Sequence, residues 1–312
     1  MTNSSGDNRL SKNARREAAR EKARAIRAAQ KKRERRSRLI LQGSIGLVVL
    51  AIVAIVAVVI ATQLKPPAPG PKNMLSDGIK IGQGFEAVPT PGLEPGEEPV
   101  AFAANEPADV FDIRVYVDYL CPVCGAFEAA NAAQIKQLVA DGAATLEIHP
   151  ITILDRLSMG TKYSTRSANA AACVANYSPN SFFDFSALLF ENQPEEGTEG
   201  LTDDQLVDLT KEAKVKRAGA IASCITGQEF KSWVDDATSR ALDGPIPGTD
   251  ARKITGTPTV FVNGHQYQFH TDQSGAFDPK EFQAFMIQAA AENYTKAPSP
   301  SPSPSPVPTP AP

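Results

Sequence analysis

The hydropathy pattern divides the chain sharply near its N-terminus. Leu39 to Leu64 carries no charge and contains an aliphatic run, GLVVLAIVAIVAVVIA. As a helix this segment reaches roughly 39 Å, more than a hydrocarbon core of about 30 Å, so it predicts one transmembrane helix with some tilt. A cleaved signal peptide, suggested by the small residues of VIATQ, would have an apolar region of only about 7 to 15 residues. A retained anchor is therefore expected. Farther on, FDIRVYV (Phe111 to Val117) alternates and is rich in β-branched and aromatic residues, which predicts a strand. A helix should begin at Pro122 with Cys124, Phe127, Ile135 and Leu138 on one face, followed by a second strand in ATLEIHPITIL. Roughly Tyr163 to Leu242 reads as helical. It holds an Ala-rich segment around Cys173, a capping box from Thr202 to Gln205, and a face of Phe230, Trp233, Ala237 and Ala241. Strand signals return in TPTVFVNGHQYQF, with Asn263-Gly264 as a hairpin turn. A last helix opens at Asp278-Pro279 and should bury Phe282, Phe285, Met286 and Ala289. Strand, helix, strand, helical insertion, hairpin and helix predict an α/β domain.

Charge adds orientation. Residues 1–38 hold 14 Lys or Arg against four acids, a net +10, and basic flanks stay cytoplasmic, so everything after Lys65 is expected outside. The rest of the chain has 18 basic and 31 acidic residues, net −13, which argues against nucleic acid as a partner there. The basic tail itself has the composition of an RNA-binding or lipid-binding segment, but a topology signal on a solvated helix is the simpler reading. Residues 65–107 are dense in Pro and Gly and read as a spacer with one short strand at GIKIG. PSPSPSPSPVPTPAP, Pro298 to Pro312, reads as an extended polyproline-like tail. The expected domains are thus 1–38 basic tail, 39–64 anchor, 65–107 spacer, 108–295 globular domain with its insertion at about 163–242, and 296–312 tail.

Four cysteines outside a membrane should form disulfides. They comprise one close pair, Cys121 and Cys124, and two singletons, Cys173 and Cys224. A zinc site would need a second close pair, which His149, His265 and His270 do not supply, so neither metal nor cofactor is expected. As a staple the close pair would shut so small a loop that it would stabilise the fold little. Its placement suggests chemistry instead. Cys121 follows a strand at the N-terminus of a helix opened by Pro122, where unpaired N–H groups and the helix dipole favour a thiolate. Cys124, one turn later, is shielded and can resolve a mixed disulfide. Asp118, three residues before Cys121, either relays a proton or caps the turn, and the cap is the preferred reading. In GTPTVF, Gly256 to Phe261, a Pro precedes a strand, which taken alone indicates only an edge or turn.

A strand–CxxC–helix unit together with GTPTVF resembles the thioredoxin superfamily. That resemblance implies that Pro258 is cis and that Thr257 contacts substrate. The helical insertion narrows the likeness to DsbA-like, membrane-anchored disulfide-forming proteins of actinobacteria over roughly residues 75 to 295, carried by DYLCPVC, TGTPTVFVNG and the Cys173/Cys224 spacing. It implies a thioredoxin-like fold with a helical insertion domain and a structural disulfide between Cys173 and Cys224. It also implies an extracytoplasmic thiol–disulfide oxidoreductase acting on reduced exported proteins and reoxidised by a membrane oxidase of the vitamin K epoxide reductase type. Strongly oxidising members often carry His between the cysteines, whereas Pro122-Val123 stands here, so a less extreme oxidant is expected. A reductase or isomerase using the same residues remains open, though 65–107 looks too short for an isomerase's dimerisation domain. So does a wall-side peptide-binding module whose CxxC is a closed bridge.

Overall fold

The computed structural model describes residues 69–102, 110–272 and 275–296, with scattered helical positions between 16 and 33 and a helical stretch at 51–55. The chain divides into two units, Met1–Pro66 and Pro67–Pro312. Most of the expected anchor and the Pro/Ser tail from 297 onward lie outside the described residues, and among those described no helix is long and apolar enough to cross a membrane.

In the second unit, five strands line up in the order β1-β3-β2-β4-β5. They are β1 Ile79–Ile81, β2 Phe111–Val117, β3 Ala144–Pro150, β4 Thr259–Val262 and β5 His265–Gln266. β2 and β3 run parallel, from Phe111 opposite Ala144 to Val117 opposite Pro150, and α1, Pro122–Ala140, makes the crossover between them. β4 returns antiparallel to β2, which brings Thr259 opposite Tyr116. Because side chains alternate along a strand, Ile113, Val115 and Val117 face one way with Leu146, Ile148 and the inner face of α1. Tyr116 faces the other way, with Phe261, Ile151, Ala241, Ile246 and Ile254. Each such large side chain contributes roughly 1.5–3 kcal/mol on burial. The hairpin turn follows its sequence: Asn263 and Gly264 take φ of 53° and 84°, left-handed values that Asn and Gly adopt readily.

Several expectations are corrected. The buried face of α1 is Cys124, Phe127, Asn131, Ile135 and Val139, with Leu138 only partly covered. Asn131 is tolerated inside because its amide donates to the Phe127 carbonyl at 3.0 Å and accepts from Gln134 at 2.7 Å. β3 stops at Pro150 rather than Leu154, because the Ile153 and Leu154 N–H groups turn to the Asp118 carboxylate. The helical stretch resolves into α2 Tyr163–Tyr177, α3 Phe182–Glu191, α4 Asp203–Glu212, α5 Ala218–Thr226 and α6 Lys231–Asp243. The capping box opens α4, Thr202 Oγ1 accepting from the Gln205 N–H at 3.2 Å and Gln205 Oε1 from the Thr202 N–H at 2.8 Å. Phe230 is the N-cap of α6 rather than part of its face, and its N–H donates to Asn169 Oδ1 at 2.9 Å. On the last helix, α7 Pro279–Lys296, Phe282, Met286 and Ala289 are buried, while Phe285 is half-buried against the Tyr267 ring, 5.0 Å between centroids.

Residues 70–102 of the stretch expected as a spacer are part of the fold. Met74, Ile79 and Ile81 are buried, and Asp77 makes a two-bond ion pair with Arg240 of α6, both distances 2.7 Å. Its glycines serve close packing: a Cβ on Gly92 would collide with the Gly70 carbonyl.

α2 is buried on nearly every side, its small residues letting neighbouring helices approach closely, and Cys173 in α2 is disulfide-bonded to Cys224 in α5. With the two cysteines 51 positions apart in sequence, loop-closure entropy gives this bond about 4 kcal/mol. Replacing both with Ala should lower the unfolding free energy of the chain by roughly that amount, read from the denaturant midpoint.

Candidate active site

Cys121 is the N-cap of α1, with Pro122 at the first helical position. Its sulfur therefore lies beside the unpaired N–H groups of the first turn. Cys124 sits one turn deeper, 2% exposed against 6% for Cys121, and both are free thiols. The pair is electrostatically unequal. The Cys121 thiol is pulled down to about 6, first by a hydrogen bond from the Cys124 thiol and then, against the opposing effect of burial, by Thr257 and the Cys124 and Val123 N–H groups. Cys124 is pushed well above the ordinary thiol range, by burial first and then by its neighbour Cys121. At neutral pH the outer sulfur is thus largely thiolate and the inner one protonated.

Three anchors hold the helix start. Asp118, fully buried, accepts from the Leu120 N–H at 2.9 Å within its own turn and from the Ile153 and Leu154 N–H groups at 2.9 and 3.0 Å. It caps the turn and ties it to the segment after β3. Burial pushes its carboxyl up to about 6, the backbone N–H groups acting the other way. A second anchor comes from the start of β4: the Thr257 carbonyl lies 3.3 Å from the Cys121 sulfur, and the Thr257–Pro258 peptide is cis. The two quoted motifs, CPVC and GTPTVF, therefore meet at one sulfur.

The third anchor was not among the residues singled out from the sequence. Gln193, just beyond α3, donates through Nε2 to the carbonyls of Tyr119 at 3.0 Å and Cys121 at 2.9 Å. Its Oε1 lies so close to Gly125 that a Cβ there would collide with it. Gly125, directly after the CxxC, was the one signal that something approaches the helix here. Cys173 and Cys224 belong to the insertion, where they are bonded to each other. Among the described residues no group of three or more His, Cys, Asp or Glu side chains could hold a metal ion.

Iodoacetamide should alkylate Cys121 with a midpoint near pH 6. In Cys124→Ala, which lacks the hydrogen bond that lowers it most, the midpoint should move upward towards the ordinary thiol value of about 8.5.

Comparison with known proteins agrees with this geometry. A family model described as Thioredoxin matches residues 105–288. The structure of oxidised DsbA from Mycobacterium tuberculosis is 28% identical, with a TM-score of 0.50, covering 68% of this chain and 92% of that one. Reduced DsbG from the same organism is 28% identical over 71% of this chain and 95% of its own, with a TM-score of 0.49. The serine/threonine-protein kinase PknE of M. tuberculosis is 31% identical over 154 residues, 48% of this chain but 26% of the kinase, so the chain spans about a quarter of that relative's length. With the matched segment covering more than half of its residues and the insertion between β3 and β4 in place, the chain belongs to the thioredoxin family, in its DsbA-like branch.

Proposed function

We propose that the chain is a thiol–disulfide oxidoreductase that introduces disulfides into exported proteins, held outside the cytoplasmic membrane by residues 39–64. The carrying observation is the unequal pair, a stabilised thiolate at Cys121 backed by a buried, protonated Cys124. In the oxidised form a substrate thiolate attacks Cys121, the Cys121–Cys124 bond breaks, and Cys124 leaves with the electron pair. A second substrate thiolate then attacks the mixed disulfide and expels Cys121. A stabilised Cys121 thiolate is a good leaving group and favours the reduced protein over its bridge, so the disulfide passes outward. Pro122-Val123 adds no charge to that stabilisation, which makes the chain a moderate donor. Thr257, backbone against the sulfur, is placed to meet an extended substrate chain.

The basic first 38 residues support an N-terminus inside and a redox domain outside. Reoxidation then falls to a membrane-bound partner, an oxidase of the vitamin K epoxide reductase type, with Cys121 as the sulfur it meets.

Incubated as a Cys124→Ala variant that has been oxidised at Cys121 with glutathione disulfide, the full chain should form covalent complexes with reduced, unfolded ribonuclease, seen as reductant-sensitive bands on gels. Cys121→Ala should form none. A peptide-binding module with a structural bridge would give no band with either variant.

A further inference from the structure

The face of the sheet turned away from α1 is not uniformly apolar. Side chains alternate along β2 and β3, and their parallel register sets Arg114 opposite Glu147 and Tyr116 opposite His149, four polar groups on that one face. Glu147, fully buried, accepts from Ser76 Oγ at 2.6 Å and from Arg114 Nε at 3.0 Å. Arg114 donates onward to the Pro247 carbonyl at 2.7 Å. These groups satisfy one another, and His149 is the exception. Its ring, 2% exposed, stacks on Tyr116 with centroids 4.3 Å apart, and its Nε2 lies 3.0 Å from Glu147 Oε1. Gly78 makes room for that edge of the ring, since a Cβ there would collide with Nε2. Nδ1 has no hydrogen-bond partner among the described residues. Facing a carboxylate, Nε2 carries the ring proton, which leaves Nδ1 of the neutral ring an acceptor. A buried acceptor left unmet is costly, so this nitrogen calls for a donor.

His149 and Tyr116 line an open pocket of about 440 Å³, bounded by Arg240 and Asp243 of α6, by Glu98 and by residues 244–247. Within it three acids, Asp77, Glu98 and Asp243, face one base, Arg240. Arg240 is already held by Asp77 through its two bonds of 2.7 Å. Glu98 and Asp243 are exposed and form no ion pair among the described residues, so the pocket keeps an excess of negative charge. An occupant that suits these groups donates hydrogen bonds and is positively charged. A bare metal ion does not fit, because among the described residues no three His, Cys, Asp or Glu side chains are grouped to hold one.

We propose that this pocket binds a guanidinium or ammonium group, an N–H of which meets His149 Nδ1 while Glu98 and Asp243 hold the charge. An arginine fork, planar and rich in donors, can meet a ring nitrogen and a carboxylate together. Arginine and lysine side chains of a polypeptide present this chemistry, and so do free polyamines. The thiol chemistry uses none of the pocket's residues, so the two assignments stand or fall separately.

The test uses the full chain in detergent with 15N-labelled histidine, its imidazole signals assigned through His265→Gln and His270→Gln and recorded by NMR at pH 8. In the free chain His149 Nδ1 should show the shift of an unprotonated ring nitrogen. Added N-acetyl-arginine amide should move that signal saturably, and N-acetyl-glutamate amide should not. The double variant Glu98→Gln, Asp243→Asn should weaken binding roughly 2- to 30-fold, with its Cys121 alkylation midpoint still near 6 as a sign that the domain is intact. Spermidine is the second probe: tighter binding of the arginine amide assigns the pocket to a polypeptide side chain, and tighter binding of spermidine assigns it to a free polyamine. A protonated Nδ1 in the free chain, no saturable shift with either cation, an equal shift with the glutamate amide, or a double variant that binds as tightly as wild type overturns the proposal.

Discussion

The redox site depends on where α1 begins. A helix start offers several unpaired N–H groups, and the side chain at the cap position meets them first. Here that side chain is a thiol, so these N–H groups add to the hydrogen bond from Cys124, the larger cause, in stabilising a sulfur anion. The helix start is useful only if it is held still. Asp118 fixes it from below through β3's continuation, Gln193 from the insertion, and Thr257 from the start of β4. Each anchor comes from a different part of the chain, so the site exists only when the whole domain is assembled.

The same arrangement separates the two cysteines chemically. Neither residue type nor spacing distinguishes them; position in the helix does. One full turn takes Cys124 from the cap into the space against Val115, Val117 and Phe127, where a charge is costly. The insertion contributes in two ways. Its disulfide steadies α2 against α5, and α3 brings Ser186, Glu191 and the following Gln193 against α1.

Much of this was legible along the chain because it is local. The strand before the CxxC, Pro122 at the helix start, the Thr202 capping box and the Asn263-Gly264 turn each depend on a few neighbouring residues. What was not legible depends on partners far away. Gln193 lies 72 residues from Cys121, and nothing around it hints that its amide spans two carbonyls of the redox turn. Asn131 breaks the apolar face of α1 because its hydrogen bonds lie within the helix, which hydropathy cannot register. β3 read too long because ITIL is as apolar as a strand, and only the Asp118 carboxylate draws its backbone away. Residues 70–100 read as a spacer because they are rich in proline and glycine, while in the fold their short strand β1 pairs with β3.

The proposed role as a disulfide donor of moderate strength rests on stabilisation of the Cys121 thiolate, by the Cys124 thiol first and then by Thr257 and the N–H groups of the helix start. The most direct test is the reduction potential of Cys121–Cys124 in the full chain, equilibrated with glutathione redox buffers at pH 7. A disulfide donor should give a reversible two-electron couple of roughly −180 to −120 mV. A value near −270 mV, where thioredoxin-type reductants lie, or no reversible couple at all, would contradict it.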